Sequence, residues 1–283
     1  LHARGKSYYP ASAMQTPVYA LFRADWKIAL RLVCRIADHV ADALLHSNLA
    51  DECFETSMRL GEIDRNYIFS GRLWTAHLNG CGSDLYSSIM MAFERWLLEF
   101  SDAVTSEQLQ YVCFTALKAS RSCSVASVVV SAVLNAPIKC PDVLCALLSC
   151  QAVPVLDRER WSGGQLKPAV PLYASYYLHN QDREAVSKYR ISEKMISSAA
   201  LLMQLDNSLL LLDGKTIAAD RIHSIIDDAT GSLDEEDAFT SWAYQQMDSR
   251  RLKVVGYSDD PNQPGIELEI DPDKDLAEKL EQH

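Results

Sequence analysis

The segment from Ser122 to Ala136, SCSVASVVVSAVLNA, contains no charged residue and almost no large side chain. Small residues alternate there with Val and Leu over about four helical turns. A helix that is apolar on every side is buried on every side, and small side chains allow neighbouring backbones to approach closely. The segment therefore predicts a central helix around which other helices pack, and it indicates architecture rather than chemistry.

The rest of the chain favours a mainly α fold. Its 283 residues are enough for one large domain or two ordinary ones. It contains only 11 Gly and 10 Pro, which argues against the many tight turns that an all-β fold needs. Asp25 is a suitable N-cap for an amphipathic helix that runs to about His46. We therefore expect an α-solenoid-like stack or an irregular helical bundle.

Composition suggests three regions along the chain. Residues 1–156 are expected to form a helical stack, and residues 157–190, which contain Gly163-Gly164 and two prolines, an ordered connection. Residues 191–283 are expected to form a smaller, acidic helical subdomain.

Two places show patterns typical of β-hairpins. In the last region, Leu252–Tyr257 and Ile266–Ile270 alternate on either side of a proline-containing turn, which predicts a hairpin. Earlier in the chain, Tyr67–Phe69 and Leu73–Ala76 flank Ser70-Gly71, which is compatible with a small hairpin or with irregular packed structure.

The charge distribution excludes some partners. The chain has a net charge of −11, with 13 basic and 14 acidic residues up to position 156 but 14 and 24 beyond it. An acidic chain without a basic stripe is poorly suited to binding nucleic acid. No apolar run reaches the roughly 20 residues that a membrane helix needs, so we expect neither a nucleic acid nor a membrane as partner.

The eight cysteines do not predict a metal site. Cys140, Cys145 and Cys150 are five residues apart, which places them on different faces of a helix. No CxxC pair occurs, and no signal peptide is recognisable. We therefore expect no metal and a reducing, cytoplasmic location.

Gly214-Lys215-Thr216 is similar to the end of a phosphate-binding loop, which requires a further glycine five residues earlier. That position is Leu209, so we interpret the segment as a turn at Asp213-Gly214 after a helix, and expect no nucleotide cofactor. His77 and His179 have no local partner, and a cysteine nucleophile would meet them only in the fold. No catalytic residue is assigned.

The densest cluster expected to be exposed is Asp157 to Trp161. Because Arg and Trp are frequent at binding hot spots, Arg158, Arg160 and Trp161 are candidate partner-binding residues. The alternative is a salt-bridged loop anchored by one buried tryptophan.

Several segments resemble a known family. In chain order they are TPVYALFRADWKIALRLVCRIADHV, LYSSIMMAFERWLLEF, SRSCSVASVVVSAVLNAP, and WAYQQMDSRRLKVVGY followed by IELEIDPD. Together they are similar to the helical region downstream of the ATPase core in large bacterial STAND-like P-loop ATPases, including the AVAST antiviral type. The resemblance implies that this chain is a non-catalytic helical arm. The ATP-binding residues of the family would then lie upstream of Leu1.

The leading hypothesis is a non-catalytic helical scaffold or sensor module of a larger bacterial NTPase in phage defence. The first residue is Leu, which is compatible with a fragment of a larger polypeptide. The expected partner is then the remainder of that polypeptide or another protein, and any oligomer would form through the full-length protein. Two alternatives are open: a stand-alone hydrolase whose Cys, His and Asp residues assemble in three dimensions, and an adaptor that binds a protein or peptide.

Overall fold

The structure, a computed structural model, describes residues 11–78, 83–166, 185, 188–189, 194–205, 214–231, 238–258 and 265–271. The chain divides into two compact units, Leu1–Ile196 and Ser197–His283. Both units are mainly helical, and each contains an antiparallel β-hairpin. The mainly α fold class is thereby confirmed.

Helices make up most of the first unit. Caps explain where several begin: the Asp25 carboxylate accepts the N–H groups of Lys27 and Ile28, and Thr105 and Gln108 form a capping box. The α-helices are α1 (Val18–Ala24), α2 (Trp26–Leu45), the single turn α3 (Gly71–Trp74), α4 (Asp84–Ala103), α5 (Ser106–Ala119), α6 (Cys123–Asn135), α7 (Pro141–Leu148) and α8 (Ala152–Leu166). Short 3₁₀ turns occupy Ala50–Glu52, Ala76–Leu78 and Pro137–Lys139.

Helix α6 is the central element of this unit, as its composition predicts. Every residue from Cys123 to Leu134 is buried. Helices α2, α3, α4, α5 and α7 and strand β2 (Ile63–Phe69) all pack against it. Because these neighbours surround one rod, the unit is an irregular bundle rather than a solenoid.

The hairpin of the first unit lies earlier in the chain than Ser70-Gly71. Strands β1 (Phe54–Leu60) and β2 pair antiparallel from Phe54↔Phe69 to Leu60↔Ile63. Gly61 adopts φ +73° in the connecting turn, a left-handed conformation that favours glycine. Ser70 instead caps α3 by accepting the N–H of Arg72, so Leu73 and Trp74 are helical and not in a strand.

The second unit has its own small core and the expected C-terminal hairpin. Its elements are α9 (Ile196–Leu205, whose first residue ends the first unit), α10 (Gly214–Gly231), α11 (Ala238–Gln245), a 3₁₀ turn (Ser249–Arg251), β3 (Leu252–Ser258) and β4 (Gly265–Ile270). The strands pair from Leu252↔Ile270 to Ser258↔Gly265, with a bulge between Val254 and Gly256. Ile222, Ile226, Tyr244 and Met247 are buried, and the helical subdomain with a β-hairpin is confirmed.

The interval 157–190 starts as helix, because α8 continues to Leu166. The boundaries at 156 and 190 otherwise stay a prediction. Among the described residues, no helix combines the length and apolarity needed to cross a membrane.

Candidate functional site

A group of buried polar side chains lies where α6 faces α4 and the Ala76–Leu78 turn. Ser124, Ser127 and Ser131 recur at spacings of three and four along α6, so they share one face. His77 comes from the turn and Glu94 from α4. These five residues form what we call the α6 polar cluster. Solvent exposure is only 2% for His77, 4% for Glu94 and 2% for Ser127.

Hydrogen bonds link the cluster and favour one histidine tautomer. Ser127 Oγ donates to the carbonyl oxygen of Ser124 at 2.9 Å and lies 3.3 Å from His77 Nδ1. Because the single hydroxyl hydrogen is used on Ser124, Ser127 accepts from Nδ1–H. His77 Nε2 is then an acceptor; it has no hydrogen-bond partner and lies 3.7 Å from Glu94 Oε1.

Burial moves the two ionisable groups of the cluster in opposite directions. Loss of solvent, together with the nearby Arg160 guanidinium, lowers the pKa of His77 to about 3. Loss of solvent raises the pKa of Glu94 to about 7, although Ser131, which donates to Oε1 at 2.7 Å, and Arg160 oppose the rise. Between these two values both side chains are neutral.

The order Ser127–His77–Glu94 is similar to a hydrolytic triad, but its geometry does not provide a nucleophile. A catalytic serine gives its proton to histidine and reaches the substrate carbonyl. Here the Ser127 hydroxyl donates to the backbone, and the side chain is enclosed by the core. The cluster is therefore suited to fixing the register of α6 against α4.

Three of the described cysteines are also poor nucleophiles. Burial raises the pKa of the Cys34 thiol to about 12 and that of Cys150 to about 11, and it raises the pKa of Cys123 still further. The thiolate is the nucleophilic form, so these thiols are weak nucleophiles. His179 and Cys81 lie outside the described residues. Within the described part of the chain, no three or more His, Cys, Asp or Glu side chains are placed to hold a metal ion.

The exposure expected for Arg160 is wrong, because the residue is buried on α8. Its Nε donates to Asp157 Oδ1 at 2.7 Å, and its Nη2 donates to the Lys194 carbonyl at 2.7 Å. Asp157, also buried, accepts the backbone N–H of Ile196 at 2.7 Å. The pair thus binds the returning segment 194–196 of its own chain.

Arg158 and Trp161 are both half-buried on α8. Loss of solvent lowers the pKa of Arg158. Their role in binding a partner stays a prediction.

The Gly214-Lys215-Thr216 segment begins α10. Of the predicted turn, Asp213 lies outside the described part of the chain, and Gly214 is the first residue of α10. Helix α9 continues to Leu205, only four residues before Leu209, where a phosphate loop would have its first glycine. The described helix α9 therefore occupies positions at which the strand before such a loop would lie.

No protein-family model and no curated protein sequence matches this chain.

Proposed function

We propose that this chain is a non-catalytic helical scaffold or sensor module. The observation that supports it is the α6 polar cluster, in which the histidine, carboxylate and hydroxyl groups contact one another inside the core. Side chains that are suited to chemistry by type are thereby used for packing. What remains available to partners is the surface of the helices.

The wider context of the proposal is a larger bacterial NTPase of phage defence, located in the cytoplasm. It rests on the sequence resemblance of the segments that contain α2, α4, α6 and the β3–β4 hairpin. Free thiols at the described cysteines are compatible with a reducing compartment. Helix α9, which continues to Leu205, supports a chain whose nucleotide site lies elsewhere in the larger protein.

The test is nucleotide binding and turnover by the purified chain. We expect no ATP binding in isothermal titration with magnesium present and no phosphate release. Lys215→Ala should behave like the native chain, and so should Lys253→Ala, an exposed lysine of β3 that serves as control. ATP turnover that disappears in Lys215→Ala and persists in Lys253→Ala would contradict the proposal.

The hydrolase alternative has one specific observation in its favour, the chain of contacts from Ser127 through His77 to Glu94. A fluorophosphonate, which labels activated serines, distinguishes the two functions. We expect no adduct by mass spectrometry, because Ser127 is enclosed and its hydroxyl donates to the backbone. A stoichiometric adduct on the native chain that is missing from Ser127→Ala would establish the hydrolase instead.

A further inference from the structure

Helix α2 leaves one face uncovered, and that face combines apolar and basic side chains. Ile28 and Leu32 are 48% and 41% exposed, and Lys27, Arg31 and Arg35 are exposed beside them. We call these five residues the α2 ridge. Residues four apart on a helix are neighbours about 5–6 Å apart, so the ridge consists of an apolar stripe that runs alongside a basic one.

Packing and capping of α2 fix the position of the ridge. Ala29, Leu30, Val33, Cys34 and Ala37 are buried on the opposite side of α2, and the Asp25 carboxylate caps the helix start. A partner would therefore meet a preformed surface, which lowers the entropy lost on binding.

The positive charge of the ridge is not neutralised by neighbouring acids in the described part of the chain. None of its three cations forms an ion pair with a carboxylate there. The acids of the second half of α2 are used elsewhere: Asp38 accepts from Ser120 and from the Arg121 N–H, and Asp42 pairs with Arg121. The first half of α2 is basic in a chain whose net charge is −11.

Aromatic side chains border the N-terminal end of the ridge. Lys27 lies over the ring of Trp26 at 5.7 Å, and Trp26 packs edge to face with the exposed Tyr111 of α5 at 6.3 Å. Trp, Tyr and Arg are the side chains that contribute most at protein interfaces.

We propose that the α2 ridge docks an acidic amphipathic helix of a protein partner. Two apolar residues four apart on the partner would cover Ile28 and Leu32, and a row of carboxylates would pair with Lys27, Arg31 and Arg35. The proposal rests on the scaffold function and names the surface through which it acts.

Other occupants fit less well. A second copy of the chain placed ridge against ridge would bring like charges together, which is unfavourable. A membrane would require apolar side chains that insert into the lipid as well as positive charge. Two half-exposed aliphatic side chains provide little area for insertion into lipid.

The experiment uses the full chain and a fluorescent synthetic peptide of about 18 residues, long enough to form a helix alone. Its helix carries leucines four apart beside a row of glutamates. The comparison probes are a scrambled peptide of the same composition, a peptide with lysines in place of the glutamates, and phosphatidylserine vesicles. Binding is followed by fluorescence anisotropy, or by co-sedimentation for the vesicles.

We expect the acidic helix to bind, and Arg31→Glu/Arg35→Glu to weaken binding at least about tenfold, since two attractive contacts become repulsive. Leu32→Ala should weaken it about threefold. Arg59→Glu, a reversal on the β1–β2 hairpin, should change affinity less than about twofold because long-range surface charges are screened. All of these side chains are exposed, so thermal melting should show each variant folded.

Four results would overturn the proposal: no binding of the acidic helix, equal binding of the scrambled peptide, unchanged affinity in the double reversal, or binding to the vesicles in preference to the acidic helix. The outcome is separable from that of the scaffold proposal. ATP turnover by the chain would contradict the scaffold function and leave the peptide affinities as they are, whereas loss of peptide binding would contradict only the ridge.

Discussion

Two acid–base pairs lie buried in the same unit, and they are held in different ways. Asp157 and Arg160 contact each other at 2.7 Å, and backbone groups of residues 194 and 196 satisfy a second donor and a second acceptor. His77 and Glu94 are 3.7 Å apart, and His77 Nε2 has no hydrogen-bond partner.

The comparison shows under which conditions a protein core can contain charged side chains. Charges withdrawn from water must be paired and fully hydrogen-bonded, and Asp157–Arg160 meets that requirement. His77–Glu94 does not, and its two pKa values move so that both groups are neutral between about pH 3 and pH 7. The polar face of α6 is therefore compatible with an uncharged central helix.

The largest effect is expected when a charge enters this core with no partner at all. Val129 is fully buried in the middle of α6. Val129→Asp should destabilise the first unit by more than about 5 kcal/mol, which is comparable with the whole stability of a domain. Thermal melting and far-ultraviolet circular dichroism should show that the unit does not fold.

The matched control is Val129→Ala, which removes the same side chain without adding charge. It should cost about 2 kcal/mol and leave the unit folded. A folded Val129→Asp variant with a normal melting temperature would disprove the central position assigned to α6.

The next largest effect is expected from breaking the fully satisfied pair. Arg160→Met leaves the Asp157 carboxylate buried with only the Ile196 N–H as a donor, which should cost about 3–5 kcal/mol in urea unfolding. The double variant Asp157→Leu/Arg160→Met removes both charges and should recover most of that loss. A double variant less stable than Arg160→Met would show that the Asp157 carboxylate stabilises the unit even without Arg160.

The neutral pair makes a prediction about pH. His77, with a folded pKa of about 3 against 6.5 unfolded, binds fewer protons when folded and destabilises the unit as pH falls through that range. Glu94, at about 7 against 4.5, binds more protons when folded and destabilises the unit as pH rises. Between pH 4.5 and 6.5 the two effects cancel in the native chain.

Single substitutions should expose each effect, because neither pKa shift is caused by the other residue. Relative to the native chain, the free energy of unfolding of Glu94→Gln should fall by about 1.4 kcal/mol for each pH unit as pH is lowered from 6.5 to 4.5. The free energy of unfolding of His77→Gln should fall by about the same amount for each pH unit as pH is raised over that range. Urea unfolding at several pH values measures both slopes, and slopes equal to that of the native chain would show that burial shifts neither pKa.

The sequence predicts the elements whose signals are local. The uncharged run at 122–136 identifies α6, Asp25 identifies the start of α2, and alternation identifies the C-terminal hairpin. Each signal lies within the segment that folds.

The buried pairs depend on contacts between distant segments. His77 and Ser127 are 50 residues apart and meet only when the Ala76–Leu78 turn packs against α6. The three-and-four spacing of Ser124, Ser127 and Ser131 was a visible signal of a polar face. The spacing of Asp157 and Arg160 also fits one turn of helix, but the glycines and prolines that follow favoured a loop.

The smallest effect is expected where the same pairing occurs in solvent. In the second unit, Arg250 forms a two-point contact with Asp227, at 2.6 and 3.1 Å, and also contacts the buried Asp248 at 2.8 Å. Since Asp227 is largely exposed, Asp227→Asn should cost about 0.5 kcal/mol or less in urea unfolding. Asp248→Asn should cost about 2 kcal/mol, because the buried carboxylate of Asp248 also accepts the backbone N–H of Arg250 at 3.0 Å. Equal losses of stability in the two variants would mean that burial does not determine how much such a pair stabilises the fold, either in the second unit or at Asp157–Arg160.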